Sequence, residues 1–304
     1  MDFFERKEFA RAVEAFTRAI ELSRYSPHLL YKMRAAAYGA DGKLDRAIAD
    51  YEQVIYLEPD ASNYSFRACL RCLNKDYDEA IKDCTTALKM DPRGDDTQRA
   101  SAYGCRGYAH SCKGDLEAAI EDYTEAIKLV PASVETRICR ASVYAKKGEY
   151  DEAIADYTRA LEEDRFTLNQ PNSLSIHVRR ADLYQRKGKY KQAIADVTEA
   201  LRLQPDSVPI LFTLGWVLST CELTEGRNGK QAVEYATKAC QATNWKSGPC
   251  LECLAAALAE TGQFKDAVKW QEAALKLPDF PKESLEKARQ RLKLYQQGRP
   301  FTDK

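Results

Sequence analysis

Ten cysteines, three histidines and an aspartate that keeps returning are the residues of this chain whose types and spacing invite chemistry. Cys69 and Cys72 stand i, i+3 on one predicted helix. Cys250 and Cys253 open another, just after Pro249, where the positive end of a helix favours thiolate. Cys221 and Cys240 lie near them in sequence, so four sulfurs suggest a tetrahedral metal site. The spacing matches no zinc signature, and no strand pattern supports a thioredoxin-like fold. Small cysteines buried at helix contacts are the commoner arrangement. Metal binding or redox sensing is therefore a minor reading, and no metal or cofactor is expected. His28, His110 and His177 are far apart, and His110 stands where other segments carry tyrosine, which predicts core packing. Gly226-Arg227-Asn228-Gly229-Lys230 lacks the spacing and the Ser or Thr of a phosphate loop and reads as a helix-connecting turn. With no nucleophile–base arrangement or general-acid pair, the expectation is a protein that is not an enzyme.

The most regular charged pattern pairs an arginine with an aspartate 16 residues later. The pairs are Arg34 and Asp50, Arg67 and Asp83, Arg106 and Asp122, Arg140 and Asp156, and Arg180 and Asp196. Two later segments lose both partners together, with Leu214 and Tyr235 in one and Leu254 and Trp270 in the other. Joint presence and joint loss predict contact across facing helices, so these are expected to be structural ion pairs. An arginine ladder for an anionic partner is the alternative.

Each aspartate belongs to a phrase that recurs: Ala47-Ile48-Ala49-Asp50, Ala80-Ile81-Lys82-Asp83, Ala119-Ile120-Glu121-Asp122, Ala153-Ile154-Ala155-Asp156 and Ala193-Ile194-Ala195-Asp196. The aspartates are 33, 39, 34 and 40 residues apart. A period near 34 means a solenoid, in which each unit buries its apolar face only against neighbours. Residues 134–167 show the physics. Val134 to Lys147 places Arg140, Ala141 and Tyr144 on one helical face, and Gly148 ends it. Tyr150 to Glu163 places Ala153, Tyr157 and Ala160 at i, i+4, i+7. Small residues let the helices approach, large ones fill the space between turns, and prolines such as Pro59, Pro92, Pro131 and Pro205 close successive units.

These small, aromatic and proline positions resemble the tetratricopeptide repeat over about 28–281. The usual first-helix tryptophan is replaced by Tyr31, Tyr64, Tyr103, Arg137 and His177. The resemblance implies an all-α, right-handed superhelical solenoid of antiparallel helix hairpins. We expect a single solenoid of about seven full repeats plus an N-terminal half repeat and a C-terminal capping helix. Its units are 1–27 (half), 28–60, 61–94, 100–133, 134–167, 174–206, 207–247 and 248–281, with 282–304 as capping helix and tail. The later stretch from Arg227 through Trp270 to Tyr295 is similar to the carboxy-terminal unit of large bacterial members, hence a bacterial type. Phe9 to Leu22 reads as a second helix whose partner is missing or reduced to Phe3-Phe4. Exposed apolar surface there favours an upstream continuation, with self-association through this edge as the alternative.

The family's first helices line a concave groove that binds peptides or extended segments. In the present register the candidates are Lys32, Phe66, Cys69, Cys105, Tyr108, Cys139, Ser142, Arg179, Asp182, Phe212 and Trp216. A subset of the family grips chaperone carboxylates with lysines and asparagines. No candidate here is an asparagine, so an apolar or neutral segment is the more natural ligand.

Composition narrows the partners. Lys plus Arg and Asp plus Glu number 46 each, and zero net charge excludes the basic footprint of a nucleic-acid binder. No apolar run approaches the roughly 18 residues of a membrane span. Met1-Asp2-Phe3-Phe4-Glu5-Arg6-Lys7 has no signal-peptide core. Ten cysteines without regular pairing suit a reducing compartment, so a cytoplasmic location is expected. The resulting expectation is a protein-interaction scaffold. A docking arm of a larger enzyme and a cysteine-based redox or metal sensor are the alternatives.

Overall fold

The computed structural model describes residues 3–23, 27–165, 172–221 and 227–302, with the side chains of residues 3–7 outside the description. The described residues form α-helices joined by short turns, with no β-strand. None of these helices is long and apolar enough to cross a membrane. They fall into two compact units, Met1–Glu163 and Asp164–Lys304.

The first unit runs α1 (Phe3–Leu22), α2 (His28–Ala40), α3 (Leu44–Leu57), α4 (Ala61–Leu73), α5 (Tyr77–Met90), α6 (Asp96–Lys113), α7 (Leu116–Leu129), α8 (Val134–Lys147) and α9 (Tyr150–Asp164). Helices α2 and α3, α4 and α5, and α6 and α7 pack as hairpins, and first helices α4 and α6 also meet. The alanine opening each repeated phrase makes the close approach: Ala47, Ala80, Ala119 and Ala153 are fully buried. Turns inside hairpins need a left-handed residue. Gly148 supplies it at φ 88°, whereas Lys75 adopts φ 68° between α4 and α5 despite its side chain.

The second unit runs α10 (Ser173–Arg186), α11 (Tyr190–Leu203), α12 (Val208–Thr220), α13 (Gly229–Ala242), α14 (Gly248–Glu260), α15 (Phe264–Ala274) and α16 (Leu285–Gln296), with a 3-10 turn at Lys282–Ser284. Its hairpins are α10 with α11, α12 with α13 and α14 with α15, and α16 packs on α15. The core here is more apolar. Leu211, Leu214, Leu251 and Leu254 are buried around Ala236 and Ala255. Gly215 is required by contact: a Cβ there would stand 2.9 Å from Cys253 Sγ.

Three boundaries differ from expectation. The N-terminal segment is one continuous helix from Phe3, packed on α2, rather than a second helix starting at Phe9. The reading of Phe3-Phe4 as a remnant partner rests on side chains outside the described residues. Helix α6 begins at Asp96 rather than near 100, because the Asp95 carboxylate caps it by accepting from the Thr97 and Gln98 amides. The final helix starts at Leu285, after the 3-10 turn, rather than at Lys282. Residues 222–226 of the long turn before α13 lie outside the described residues.

Candidate binding groove and its ion pairs

All five arginine–aspartate pairs are in contact, each through two parallel hydrogen bonds. Arginine Nη2 donates to aspartate Oδ1 at 2.6 Å for Arg34 and Asp50, 2.7 Å for Arg67 and Asp83, 2.7 Å for Arg106 and Asp122, 2.7 Å for Arg140 and Asp156, and 2.6 Å for Arg180 and Asp196. Nε donates alongside, at 2.7–3.0 Å to Oδ2. The aspartate side chains are only 5–8% exposed and the arginines 14–21%, so these are largely desolvated pairs. In Arg34, Arg67, Arg106 and Arg140 the bond to aspartate is the largest effect and raises the guanidinium pKa against the pull of burial. Around Asp196 burial pushes the carboxyl pKa up, but bonds from Arg180 and His177 outweigh it and the net shift is downward.

The sequence reading missed the third partner. Arg34, Arg106 and Arg140 each send Nη1 back to a threonine on the preceding hairpin or helix: Thr17 at 3.1 Å, Thr85 at 3.2 Å and Thr124 at 2.9 Å. One guanidinium therefore ties its own hairpin and the one before it. A signal was present, since Thr85 and Thr124 stand two residues after the repeated aspartates. Tyrosine rings also flank the arginines, as with Tyr64 beside Arg67 at 5.5 Å and Tyr144 beside Arg140 at 5.8 Å.

His110 is not a core residue. Its side chain is 20% exposed and faces Asp115 at 3.5 Å and Asp122 at 4.0 Å, so it lies beside carboxylates rather than in apolar packing. The last of the two segments lacking arginine–aspartate pairs uses another arrangement. Buried Glu252 of α14 accepts from Arg291 of α16, at 2.9 Å from Nε and 2.6 Å from Nη2, and from Gln271 Nε2 of α15 at 3.0 Å.

The proposed groove positions separate into groups. Phe66 and Tyr108 are 58% and 47% exposed, and Phe66 is steadied by stacking on Tyr51 at 6.0 Å. Cys69 lines two adjoining cavities. One, of 160 Å³, includes Ser65, Phe66 and Ser101; the other, of 510 Å³, includes Cys72, Cys105 and Tyr108. Lys32 reaches Glu58 at 3.3 Å. Cys139 packs on the Tyr123 and Val143 cluster, and Ser142 bonds Ile138 carbonyl at 2.9 Å and Tyr157 hydroxyl at 3.1 Å, so both face helix contacts. In the second unit Arg179 and Asp182 are exposed, with Asp182 held by Arg186 at 2.7 Å. Phe212 stacks on Trp216 at 6.1 Å, and Phe301 leans over Trp216 at 6.3 Å. The chain's own C-terminal segment thus occupies part of that face.

The cysteines distribute differently from expectation. Cys221, Cys240, Cys250 and Cys253 are buried in the second unit. Burial pushes the Cys240 thiol up to about 12 and Cys253 well above its ordinary value. For Cys253 the helix start therefore does not favour thiolate, because desolvation outweighs the dipole. Among the described residues no three Cys, His, Asp or Glu side chains are arranged to hold a metal ion.

Family models of the tetratricopeptide repeat match residues 30–61, 107–148, 133–206, 178–244 and 250–277. Hsp70-Hsp90 organizing protein 2 of Arabidopsis thaliana is 32% identical over 92 residues, 30% of this chain and 16% of that protein. Heat shock protein STI1 of Saccharomyces cerevisiae is 33% identical over 89 residues, 29% of this chain and 15% of that protein. The chain therefore matches less than a fifth of either relative's length. The C-terminal part of a repeat-containing protein from Cytophaga hutchinsonii superposes with a TM-score of 0.65 at 15% identity, covering 83% of this chain and 97% of that one. Cut9-Hcn1, an APC/C hetero-tetramer, gives 0.55 at 16% identity over 83% of this chain and 46% of that one. At these identities the likeness is one of fold.

Proposed function

This chain belongs to the tetratricopeptide-repeat family, and from that premise we propose that it is a non-catalytic scaffold binding a peptide or protein segment along its first helices. One observation carries the reading: Phe66 and Tyr108, large aromatics left exposed, stand beside two cavities, and the larger, next to Tyr108, is walled by uncharged residues including Ser101, Gly104, Cys69 and Cys105, whereas Asp91 and Arg99 line only the smaller one. Exposed aromatic anchors beside small neutral walls suit an apolar or uncharged segment. One matched relative is named as an Hsp70-Hsp90 organizing protein. A carboxylate clamp is disfavoured here, because the first-helix Asn63 is buried and donates Nδ2 to the Glu58 carbonyl at 2.9 Å. A preformed helical surface keeps the ordering cost of binding low. Ten cysteines without regular spacing suit a cytoplasmic scaffold.

Peptides selected from a random library against the whole chain test the proposal. Phe66→Ala and Tyr108→Ala should each weaken the selected peptides about tenfold, equivalent to about 1.4 kcal/mol. Affinity undiminished in both variants would place the binding surface elsewhere.

A further inference from the structure

Four cysteines far apart in sequence converge where α4 and α6 pack. Cys69 and Cys72 come from α4 and Cys105 from α6, with buried Cys84 of α5 in the same cluster. Cys72 Sγ lies 3.6 Å from Cys105 Sγ. Cys69 lines the same cavity as Cys72 and Cys105, so one thiol on α6 faces two on α4. A cystine needs its sulfurs about 2.05 Å apart, so Cys72 and Cys105 are the pair placed to close. Solvent reaches the cluster, because Cys69, Cys72 and Cys105 all line the 510 Å³ cavity beside Tyr108.

We infer that Cys69, Cys72 and Cys105 form a thiol–disulfide exchange site that reacts with low-molecular-weight disulfides and ends as a cystine joining α4 to α6. Cys69, half-buried at the junction of both cavities, takes the reagent. Its thiolate attacks one sulfur of RS–SR, the reagent's S–S bond breaks, a mixed disulfide forms and RS⁻ leaves. Cys105 loses its proton to solvent and attacks Cys69 Sγ, expelling the second RS⁻. Cys72 then loses its proton to solvent, attacks Cys105 Sγ and releases Cys69 as thiolate, and the two protons given up by Cys105 and Cys72 end on the two RS⁻. In sum, two protein thiols are oxidised to one cystine and one RS–SR is reduced to two RSH. The electrostatics agree with this order. The neighbouring Cys105 thiol brings the Cys69 thiol down to about 7 and lowers Cys72 as well, which favours Cys69 as the first attacking thiolate, while Cys105, pushed up by its cysteine neighbours and by burial, is the slower, resolving thiol. The buried cysteines of the second unit offer no such opening. The staple would fix the spacing of two groove-lining helices, and the inference stands independently of what the groove binds.

The test uses the whole chain, 2-hydroxyethyl disulfide at neutral pH, alkylation of remaining thiols and tryptic mapping. Cleavage after Arg67, Arg71 and Arg106 places Cys69, Cys72 and Cys105 on separate peptides. The expected product is a linked Cys72–Cys105 peptide pair lighter by two hydrogen atoms. In Cys105→Ser the adduct should persist on Cys69, with no α4–α6 link. Exposed Cys112 reports that the reagent is active. If Cys112 is modified while Cys69, Cys72 and Cys105 all remain alkylatable, the inference fails. It fails equally if Cys105→Ser clears the Cys69 adduct as fast as the unsubstituted chain.

Discussion

Arg140 holds Asp156 with Nε and Nη2 each 2.7 Å from a carboxylate oxygen, and its third nitrogen reaches Thr124 of α7 at 2.9 Å. One side chain thus spans three helices: α8 that carries it, α9 of its own hairpin and α7 of the hairpin before. The arginine–aspartate pair recurs five times and the threonine contact three times, so the pairing is a property of the repeat rather than of one site.

Breaking that pair from one side should be costly. Asp156→Ala leaves a guanidinium 15% exposed and uncompensated, and the expected loss is about 3–5 kcal/mol in urea unfolding. Arg140→Ala should cost a similar amount, and the double variant much less than the sum. A cycle with no coupling energy would mean the contact contributes nothing.

Thr124→Val removes the bond that Thr124 accepts from the Arg140 guanidinium between hairpins, along with the hydroxyl's donation to the Ile120 carbonyl at 2.7 Å within α7. The expected loss is about 1.5–3 kcal/mol, most of it from the charged partner. In an Arg140→Ala background the same change should cost clearly less, since only the bond to Ile120 is then left to lose. Equal costs in both backgrounds would show that the bond from Arg140 contributes nothing.

Asp196 makes a pH prediction. Its net pKa lies below the ordinary 3.8, so folding favours the carboxylate. That contribution is complete above the unfolded value and is lost as pH falls below about 4 through the lower folded value. Asp196→Asn removes it. The stability gap between the unsubstituted chain and the variant should therefore narrow on acidification below pH 4, and a gap constant down to pH 2 would contradict the assignment.

Glu252 and Arg291 should govern the C-terminal end. Arg291→Ala leaves the Glu252 carboxylate buried with only Gln271 Nε2 as its remaining donor, and the expected loss is about 3–5 kcal/mol. Amide exchange should accelerate first in α16. Pairing Glu252→Gln with Arg291→Met, an apolar stem of similar length, should recover much of the loss.

The sequence by itself determined the helices, their hairpin pairing and the arginine–aspartate contacts. These are short-range consequences of a repeat: two helices joined by a tight turn bring positions 16 apart face to face, and five copies average out local noise. Asp156 and Arg140 were legible for that reason. The tertiary structure alone decided the contacts between hairpins that do not repeat. Cys72 meets Cys105 across 33 residues, Glu252 meets Arg291 across 39, and Phe301 covers Trp216, because helices from different hairpins come together at angles set by the packing of Ala, Gly and Tyr side chains. None of these contacts recurs, so no period announces them. The same packing turns Cys139 and Ser142 toward helix contacts and leaves Phe66 and Tyr108 at the surface, although all four occupy first helices.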